Sequence, residues 1–251
     1  DGGGMRNARI VRRVSPGGYR IAINGLGDTS GQYALALREV KTESLVLGAA
    51  KTGKLDPGGM SVFRLSIDRE KLVIIDFERH ENSALDPFIT LKNQRDEALA
   101  SDDDSGGNRN ARIMKSLGPG TYSIYASGYN MSGGAYRIIA SEVRPISIVI
   151  GESKMGRVSP QQVHTYEFTV TGEDEYVIEL FKDGDSTIDP FLVLQHQAGG
   201  DLATDDDSAG NLNSRITRRL QPGRYRIIAR GLGMSSGAYR LTLRSSSQSI
   251  Q

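Results

Sequence analysis

The sequence predicts an all-β protein built from tandem antiparallel β-sandwich domains, and three observations support this. The chain matches itself from end to end when it is shifted by 103 residues, so that Tyr33, Tyr136 and Tyr239 are equally spaced. Its apolar residues occur in short runs between turn-forming residues, without the 3.6-residue period of a long helix. Glycine is abundant, with 30 residues. A fixed period of this length indicates one folding unit that is repeated along the chain.

The repeat divides the chain into two complete units and one half unit. Residues 43–145 and 146–248 are the complete units, each of the usual size of a domain. Residues 1–42 match the C-terminal half of a unit, because Asp1 aligns with Asp104. A second frame, which begins at each acidic loop, would leave a trailing half unit instead; linker-like residues at 41–43 and 144–145 favour the first frame. An isolated half-sandwich exposes an apolar face, so we expect residues 1–42 either to reflect a truncated reading frame or to dock on a neighbouring unit.

Seven short strands are predicted in the first complete unit. They cover Ser44–Gly48, Val62–Ile67, Leu72–Glu78, Pro87–Lys92, Ala111–Leu117, Thr121–Ser127 and Ala135–Ala140. Within the second of these, Phe63, Leu65 and Ile67 alternate with polar residues, which predicts one buried face and one solvent-facing face. About seven strands per 100 residues, joined by Gly-, Pro- and Asp-rich turns, are typical of a two-sheet sandwich.

An acidic loop is the most distinctive polar segment of each complete unit. The candidate metal ligands are Asp86, Asp102 and Asp104 in the first unit and Asp189, Asp205 and Asp207 in the second. In an extended segment, carboxylates two residues apart point to the same side and could offer two oxygens to calcium. The alternative is that these side chains build Asx turns and pair with Arg112 and Arg215. Both interpretations remain open at the level of sequence.

An asparagine and an arginine recur in all three copies. Asn7, Asn110 and Asn213 are each followed two residues later by arginine and then by isoleucine. This pattern suits the start of a strand, where the guanidinium could hold the acidic loop against the sheet. A repeated binding group is the alternative.

The histidines argue against a repeated catalytic centre. His80, His164 and His196 match Asp183, Ser61 and Asn93, so each histidine is present in one copy only. A His-based triad or metal site in every unit is therefore excluded. We predict that the chain has no catalytic and no organic-cofactor residues, with an enzyme site in a single copy as the remote alternative.

The net charge and the hydropathy of the chain argue against nucleic-acid binding and against a membrane-spanning segment. The formal net charge is +1, and no apolar stretch approaches the roughly 20 residues that span a bilayer. Arg224 and Arg226 alternate with apolar residues in the last copy, so we expect them to form a solvated basic face. The alternative is contact with an anionic surface such as lipopolysaccharide, an acidic polysaccharide or nucleic acid.

The order of these motifs resembles the bacterial pre-peptidase C-terminal (PPC) domain. The motifs are Asp-Pro-Phe, an Asp-rich loop, Asn-x-Arg-Ile, Pro-Gly-x-Tyr and Gly-x-Tyr. In the first complete unit they lie at 86–88, 100–106, 110–113, 119–122 and 134–136, and in the second at 189–191, 203–208, 213–216, 222–225 and 237–239. The resemblance covers nearly the whole chain, as two domains and the C-terminal half of a truncated PPC-like repeat at 1–42. It implies a sandwich of jelly-roll type, and related collagen-binding domains bind calcium, the one cofactor to consider.

The resemblance also implies a role. PPC domains occur on secreted bacterial proteins, often beside a protease, which predicts a secreted, periplasmic or cell-surface location. We therefore predict a non-catalytic accessory or binding module, whose partner is an extracellular protein or polysaccharide or a linked upstream catalytic domain. The alternative is a structural spacer or adhesion array of the cell surface.

Overall fold

A computed structural model describes residues 8–12, 14–80, 82–197 and 199–247, and these form two β-sandwiches. The strands of the first are β1 Thr42–Leu45, β2 Lys51–Leu55, β3 Met60–Ile67, β4 Lys71–Arg79, β5 Pro87–Lys92, β6 Ala98–Asp102, β7 Ala111–Leu117, β8 Gly120–Gly128 and β9 Gly134–Val143. Those of the second are β10 Ile146–Ser147, β11 Ser153–Val158, β12 Val163–Val170, β13 Asp174–Lys182, β14 Pro190–His196, β15 Asp201–Asp205, β16 Ser214–Leu220, β17 Gly223–Gly231 and β18 Gly237–Ser245. The chain is thus all-β, with tandem antiparallel sandwiches as the sequence predicted.

Each sandwich pairs a five-stranded sheet with a four-stranded one. In sandwich 1, sheet A has the order β1-β3-β8-β5-β6 and sheet B the order β2-β9-β4-β7. In sandwich 2, sheet C has the order β10-β12-β17-β14-β15 and sheet D the order β11-β18-β13-β16. Adding nine to each strand number of sandwich 1 gives the strand orders of sandwich 2, so the two sandwiches have the same topology. All pairings are antiparallel except the short edge strands β1 and β10, which run parallel to β3 and β12.

Each sandwich buries its own core. Phe63, Leu65, Ile75 and Phe77 belong to one buried cluster, and the cluster of sandwich 2 is drawn from residues 148–243 with no member in common. The alternation predicted from sequence holds along β3, where Phe63 and Leu65 are buried and Arg64 and Ser66 are exposed. Side chains of period two therefore fill the space between sheets.

Two strands of sandwich 1 were not predicted from the sequence. β2 and β6 are edge strands of five residues each, with the sequences KTGKL and ALASD, and both carry mostly exposed or half-exposed side chains. Such short polar strands lack an apolar face and are poorly signalled by sequence. The strand predicted at Ser44–Gly48 lies at Thr42–Leu45, whereas Pro87–Lys92 and Ala111–Leu117 have the predicted limits.

The residues before β1 differ from both sandwiches. Residues 8–12 and 14–41 contain no strand, and every one of them is exposed except the half-buried Val11. Residues 1–7 of the predicted half unit and Gln248 at the predicted end of the last unit lie outside the described residues, and the division at 42/43 and 145/146 stays a prediction. Within the described part of the chain, no helix has the length and apolar character needed to cross a membrane.

Candidate functional site

The first acidic residue of each loop builds a turn. Asp102 Oδ2 accepts hydrogen bonds from the backbone N–H groups of Ser105 (3.0 Å) and Arg112 (2.8 Å), and its Oδ1 accepts one from the Ser105 hydroxyl (2.5 Å). Asp205 does the same in sandwich 2. Its Oδ2 accepts from the N–H groups of Ser208 (3.1 Å) and Arg215 (2.7 Å). These carboxylates connect the loop to the first residues of β7 and β16, as the Asx-turn interpretation predicts.

The other acidic residues do not converge. Asp104 and Asp207 are exposed, and Asp86 and Asp189 are half-buried at the start of β5 and β14. Among the described residues, no group of three or more Asp, Glu or His side chains is arranged to hold a metal ion. The loop of sandwich 2 nevertheless has one unusual feature, because Asp189 Oδ1 is buried without a hydrogen-bond partner among the described atoms. Burial, and then the charges of Asp207 and Asp206, raise the pKa of the Asp189 carboxyl.

The repeated asparagine and arginine also have structural contacts, but not those expected. Asn110 Oδ1 accepts from the N–H of Arg79 (3.0 Å), and Asn213 Oδ1 accepts from the N–H of Lys182 (2.9 Å). These contacts tie the end of β4 or β13 to the loop before β7 or β16. The arginine holds the acidic loop through its backbone N–H, whereas the guanidinium pairs elsewhere.

The guanidinium of each repeated arginine bridges to the neighbouring strand of its sheet. Arg112 Nε lies 2.5 Å from Asp76 Oδ1 on β4, and Arg215 Nε lies 2.7 Å from Glu179 Oε1 on β13. The prediction that this side chain contacts the Asp-rich loop is therefore wrong. The partner is 36 residues away in sequence and directly opposite in the β4–β7 ladder.

A buried tyrosine pair distinguishes sandwich 2. The Tyr239 hydroxyl is hydrogen-bonded to His164 Nδ1 (2.6 Å) and to the Tyr166 hydroxyl (2.7 Å). At the matching place in sandwich 1, the Tyr136 hydroxyl lies 3.1 Å from the Ser61 hydroxyl. Burial lowers the pKa of His164 and raises the pKa of Tyr239. The repeat alignment had placed Ser61 opposite His164 but gave no sign of this network.

Below each of these tyrosines, a glycine makes room for the ring. A Cβ at Gly156 would lie 2.5 Å from the Tyr239 Cζ and hydroxyl oxygen, and a Cβ at Gly53 would lie 2.5 Å from the Tyr136 hydroxyl oxygen. The glycine of β2 and β11 and the tyrosine of the Gly-x-Tyr motif therefore form one packing unit.

Contacts between the two sandwiches define a junction. Arg226 Nη2 on sheet C lies 3.0 Å from Glu167 Oε1 and 3.3 Å from the Ser116 hydroxyl on sheet B. Arg112 Nη1 donates to the carbonyl of Gln161, in the loop before β12 (2.7 Å). The Arg226 side chain is only 3% exposed, so the expectation that Arg226 belongs to a solvated basic face is wrong; Arg224 is exposed as expected.

Apolar residues outside both cores support face-to-face contact at this junction. Leu72 and Ile74 lie on β4 between residues of the sandwich 1 core, so they point outward from sheet B, yet they are buried. Val193 and Ile228 are likewise buried on the outward face of sheet C. The Arg226–Ser116 contact joins these same two faces, which explains why the four side chains are shielded from water.

The comparisons with known proteins find no matching family model and no matching curated protein. Solved structures do show likeness. The pre-peptidase C-terminal domain of a collagenase from Bacillus anthracis is 16% identical, with 42% of this chain and 100% of that chain covered and a TM-score of 0.38. The extracellular region of zebrafish Gpr126/Adgrg6 is 9% identical, with 85% of this chain and 38% of that chain covered and a TM-score of 0.25.

A third similar structure is the tail fibre protein gp63.1 of a phage of E. coli. It is 6% identical, with 73% of this chain and 34% of that chain covered and a TM-score of 0.29. All three TM-scores are below 0.5. The assignment of this protein as a tandem β-sandwich therefore rests on its own strands and sheets.

Proposed function

We propose that this chain is a non-catalytic accessory module of an exported protein and is built from PPC-like sandwiches. These sandwiches either attach the exported protein to an extracellular protein or polysaccharide, or hold a linked catalytic domain. One observation carries the proposal. Three pairs of polar residues that are kept between the two sandwiches make the same kind of intramolecular contact in both: Asp102 and Asp205, Asn110 and Asn213, Arg112 and Arg215.

A catalytic centre common to both units would need repeated side chains that are available to contact a substrate. Of the three repeated pairs, the Asp and Asn side chains hold loops to sheets, and the Arg side chains bridge neighbouring strands. The order of the PPC motifs supports the same role, because Asp86 and Asp189 of the Asp-Pro-Phe motif each use the backbone carbonyl to hold the turn that follows β8 or β17. These motifs thus serve the sandwich, and recognition is left to its variable outer surface.

Co-sedimentation tests attachment. The purified chain is mixed with insoluble fibrous proteins and with insoluble neutral and acidic polysaccharides, and the bound fraction is measured against concentration. Saturable binding to one class that persists at about 0.3 M salt supports the proposal, since salt removes binding that rests only on exposed charges. Equal, unsaturable binding to all classes, or binding to none, contradicts attachment by this chain.

A structural spacer is the second candidate, and the junction favours it. A buried arginine joins sheets B and C, so the two sandwiches have a defined contact in place of a free linker. Small-angle scattering of the chain and of the Arg226→Ala variant tests this. A spacer requires one fixed end-to-end distance in the parent chain and a broader distribution in the variant. Identical broad distributions would exclude it.

Calcium binding at the loop of sandwich 2 remains a candidate on one observation. A cation near Asp206 and Asp207 would satisfy the buried Asp189 Oδ1 and reduce the repulsion that raises its pKa. We expect calcium to raise the melting midpoint of the parent chain relative to a chelator, and to have no effect on Asp189→Asn. An unchanged midpoint in the parent chain rules out this site.

A further inference from the structure

The leading segment, residues 8–40, has the sequence of three core strands but exposes their apolar side chains. Ile21, Tyr33 and Leu35 match Ile124, Tyr136 and Ile138 of sandwich 1, and also the corresponding residues of sandwich 2. In the two sandwiches these positions are at most 4% exposed. Tyr33 is 72% exposed and Leu35 58%. The leading segment therefore carries the inner faces of a sandwich without the strands that cover them.

Local contacts in the leading segment are nevertheless those of a complete unit. The Tyr19 hydroxyl donates to the Ser15 carbonyl (2.7 Å), as Tyr122 does to Gly118 (3.0 Å) and Tyr225 to Gln221 (2.8 Å). The N–H of Thr29 also bonds to the Leu26 carbonyl, and matching bonds close the turns at 129–132 and 232–235. These two turns of the unit are present, whereas the described residues 8–12 and 14–41 form no strand pairing.

The leading segment also repeats one contact of the junction. Arg9 Nη2 donates to the Gly58 carbonyl (2.5 Å), and both residues lie 103 positions before Arg112 and Gln161, which make the junction contact between the sandwiches. Both acceptor residues have a positive φ, 68° at Gly58 and 64° at Gln161. Val14 lines an open cavity of about 620 Å³ with Arg64 and Thr121 on the outward face of sheet A. The Arg9–Gly58 hydrogen bond of the leading segment thus repeats the Arg112–Gln161 hydrogen bond of the junction.

The missing partner is defined by what covers the same residues in sandwich 1. There, β2 and β4 flank β9, with Gly53 of β2 over Tyr136, while β3 and β5 flank β8. All four covering strands come from residues 43–103. We propose that residues 8–40 are the acceptor half of a third sandwich, completed by a chain segment with the strand pattern of residues 43–103, and that the completed sandwich stacks on sheet A through the Arg9–Gly58 junction.

Fusion of a second copy of residues 43–103 directly before Asp1 tests the proposal. The join keeps the register of the repeat, because Asp1 matches Asp104. Hydrogen exchange is followed by mass spectrometry on the fusion and on the unmodified chain. We expect exchange in peptides from residues 17–38 to slow by about 100-fold or more in the fusion, as for strands in a folded core. The added copy should become protected to the same degree.

A matched control removes the core of the added copy alone. The same fusion with Phe63→Asp and Leu65→Asp in that copy keeps length and register but cannot bury its inner face, so residues 17–38 should exchange as in the unmodified chain. Sandwiches 1 and 2 report in every sample that the rest of the chain is folded. Unchanged exchange of residues 17–38 in the intact fusion overturns the proposal. Aggregation of the intact fusion does so too, because an in-register partner must remove the exposed apolar face.

Discussion

The two sandwiches have one strand order but different surroundings for the same buried tyrosine. Among the described residues, the Tyr136 hydroxyl has one hydrogen-bond partner, Ser61, and its ring packs against Phe63 and Phe77. Tyr239 is bonded to both His164 and Tyr166, so a polar chain reaches into the core of sandwich 2. The repeat therefore keeps the tyrosine and the glycine below it while the hydrogen-bond partners of the hydroxyl change, because a sandwich requires its buried polar groups to be paired but not by one particular residue.

Sheets B and D occupy matching places in the two sandwiches, but their outward faces have different surroundings. The outward face of sheet B buries Leu72 and Ile74, and the side chain of Arg112 is 16% exposed. On sheet D the matching positions are Glu175 and Val177, and the side chain of Arg215 is 41% exposed. A Cβ at Gly107 would lie 3.3 Å from Gln161, whereas one at Gly210 would meet no described atom within 4 Å. The same surface thus carries two buried apolar side chains where a neighbour covers it, whereas on sheet D Glu175 is exposed and Val177 is half-buried.

The largest effect is expected from filling the space below the two tyrosines. Gly156→Ala places a methyl 2.5 Å from the Tyr239 ring, which is held by two hydrogen bonds, and should destabilise sandwich 2 by about 3 kcal/mol. Gly53→Ala should destabilise sandwich 1 by about 1.5 kcal/mol, because Tyr136 has one hydroxyl partner and can shift more easily. Urea titration followed by hydrogen exchange measures each sandwich separately.

Gly172→Ala and Gly118→Ala are the controls, since an added Cβ meets nothing within 4 Å at either position. Equal losses for Gly156→Ala and Gly53→Ala would show that the hydrogen-bonded chain does not fix Tyr239.

An intermediate effect is expected at the junction. Glu167→Ala leaves Arg226 buried without its carboxylate partner, and we expect a loss of about 2 kcal/mol, below the full value for a buried pair because the Glu167 side chain is 40% exposed. Arg64→Ala, at the matching position of sandwich 1, should cost less than about 0.5 kcal/mol since Arg64 is exposed. Thermal unfolding of both variants measures the difference. A Glu167→Ala midpoint equal to that of Arg64→Ala would refute the junction as a stabilising contact.

Acid should weaken sandwich 2 selectively. Burial lowers the pKa of His164 below its usual 6.5 in the folded chain, so the unfolded chain takes up the proton first as the pH falls. The stability that depends on neutral His164 is complete above about pH 6.5, declines below it, and levels off below the folded-state pKa. Comparing the parent chain with His164→Ser from pH 7.5 to 5 isolates this histidine. Parallel pH profiles for the two proteins would contradict the assignment.

The smallest effect is expected from removing residues 1–41. In the described part of this segment, one exposed side-chain hydrogen bond, from Arg9 to Gly58, reaches sandwich 1. We expect the unfolding free energy of both sandwiches to change by less than about 0.5 kcal/mol, and solubility to rise because exposed Tyr33 and Leu37 are removed. Precipitation of the shortened chain would show that the segment is integral to the fold.

The sequence predicted those parts of the fold that depend on local pattern. Alternation along β3 and the turn residues around β7 and β8 located strands and core, because period-two burial is visible within a few residues. The role of Asp102 as a turn builder was one of two open interpretations, since the loop sequence alone does not show that both carboxylate oxygens find N–H and O–H donors nearby.

The side-chain contacts that the sequence did not predict involve residues that are distant along the chain. Arg226 alternates with core residues as an exposed side chain would, and it is buried because Ser116, 110 residues away, lies across the junction. The partner of the Arg112 guanidinium, Asp76, is set by the register of β4 against β7. Strand alternation reports which face of its own sheet a residue occupies, but not whether a second domain covers that face.

Residue-level hydrogen exchange on the unmodified chain tests the central claim most directly, namely that a unit of this repeat is stable only when both halves are present. Residues 17–38, 120–141 and 223–244 are equivalent positions of the repeat, so their exchange rates can be compared once each is divided by the intrinsic rate of its own sequence. We predict that the latter two segments are protected by several orders of magnitude, and that residues 17–38 exchange within about tenfold of the rate of an unstructured chain. Strong, equal protection of all three segments would contradict the account.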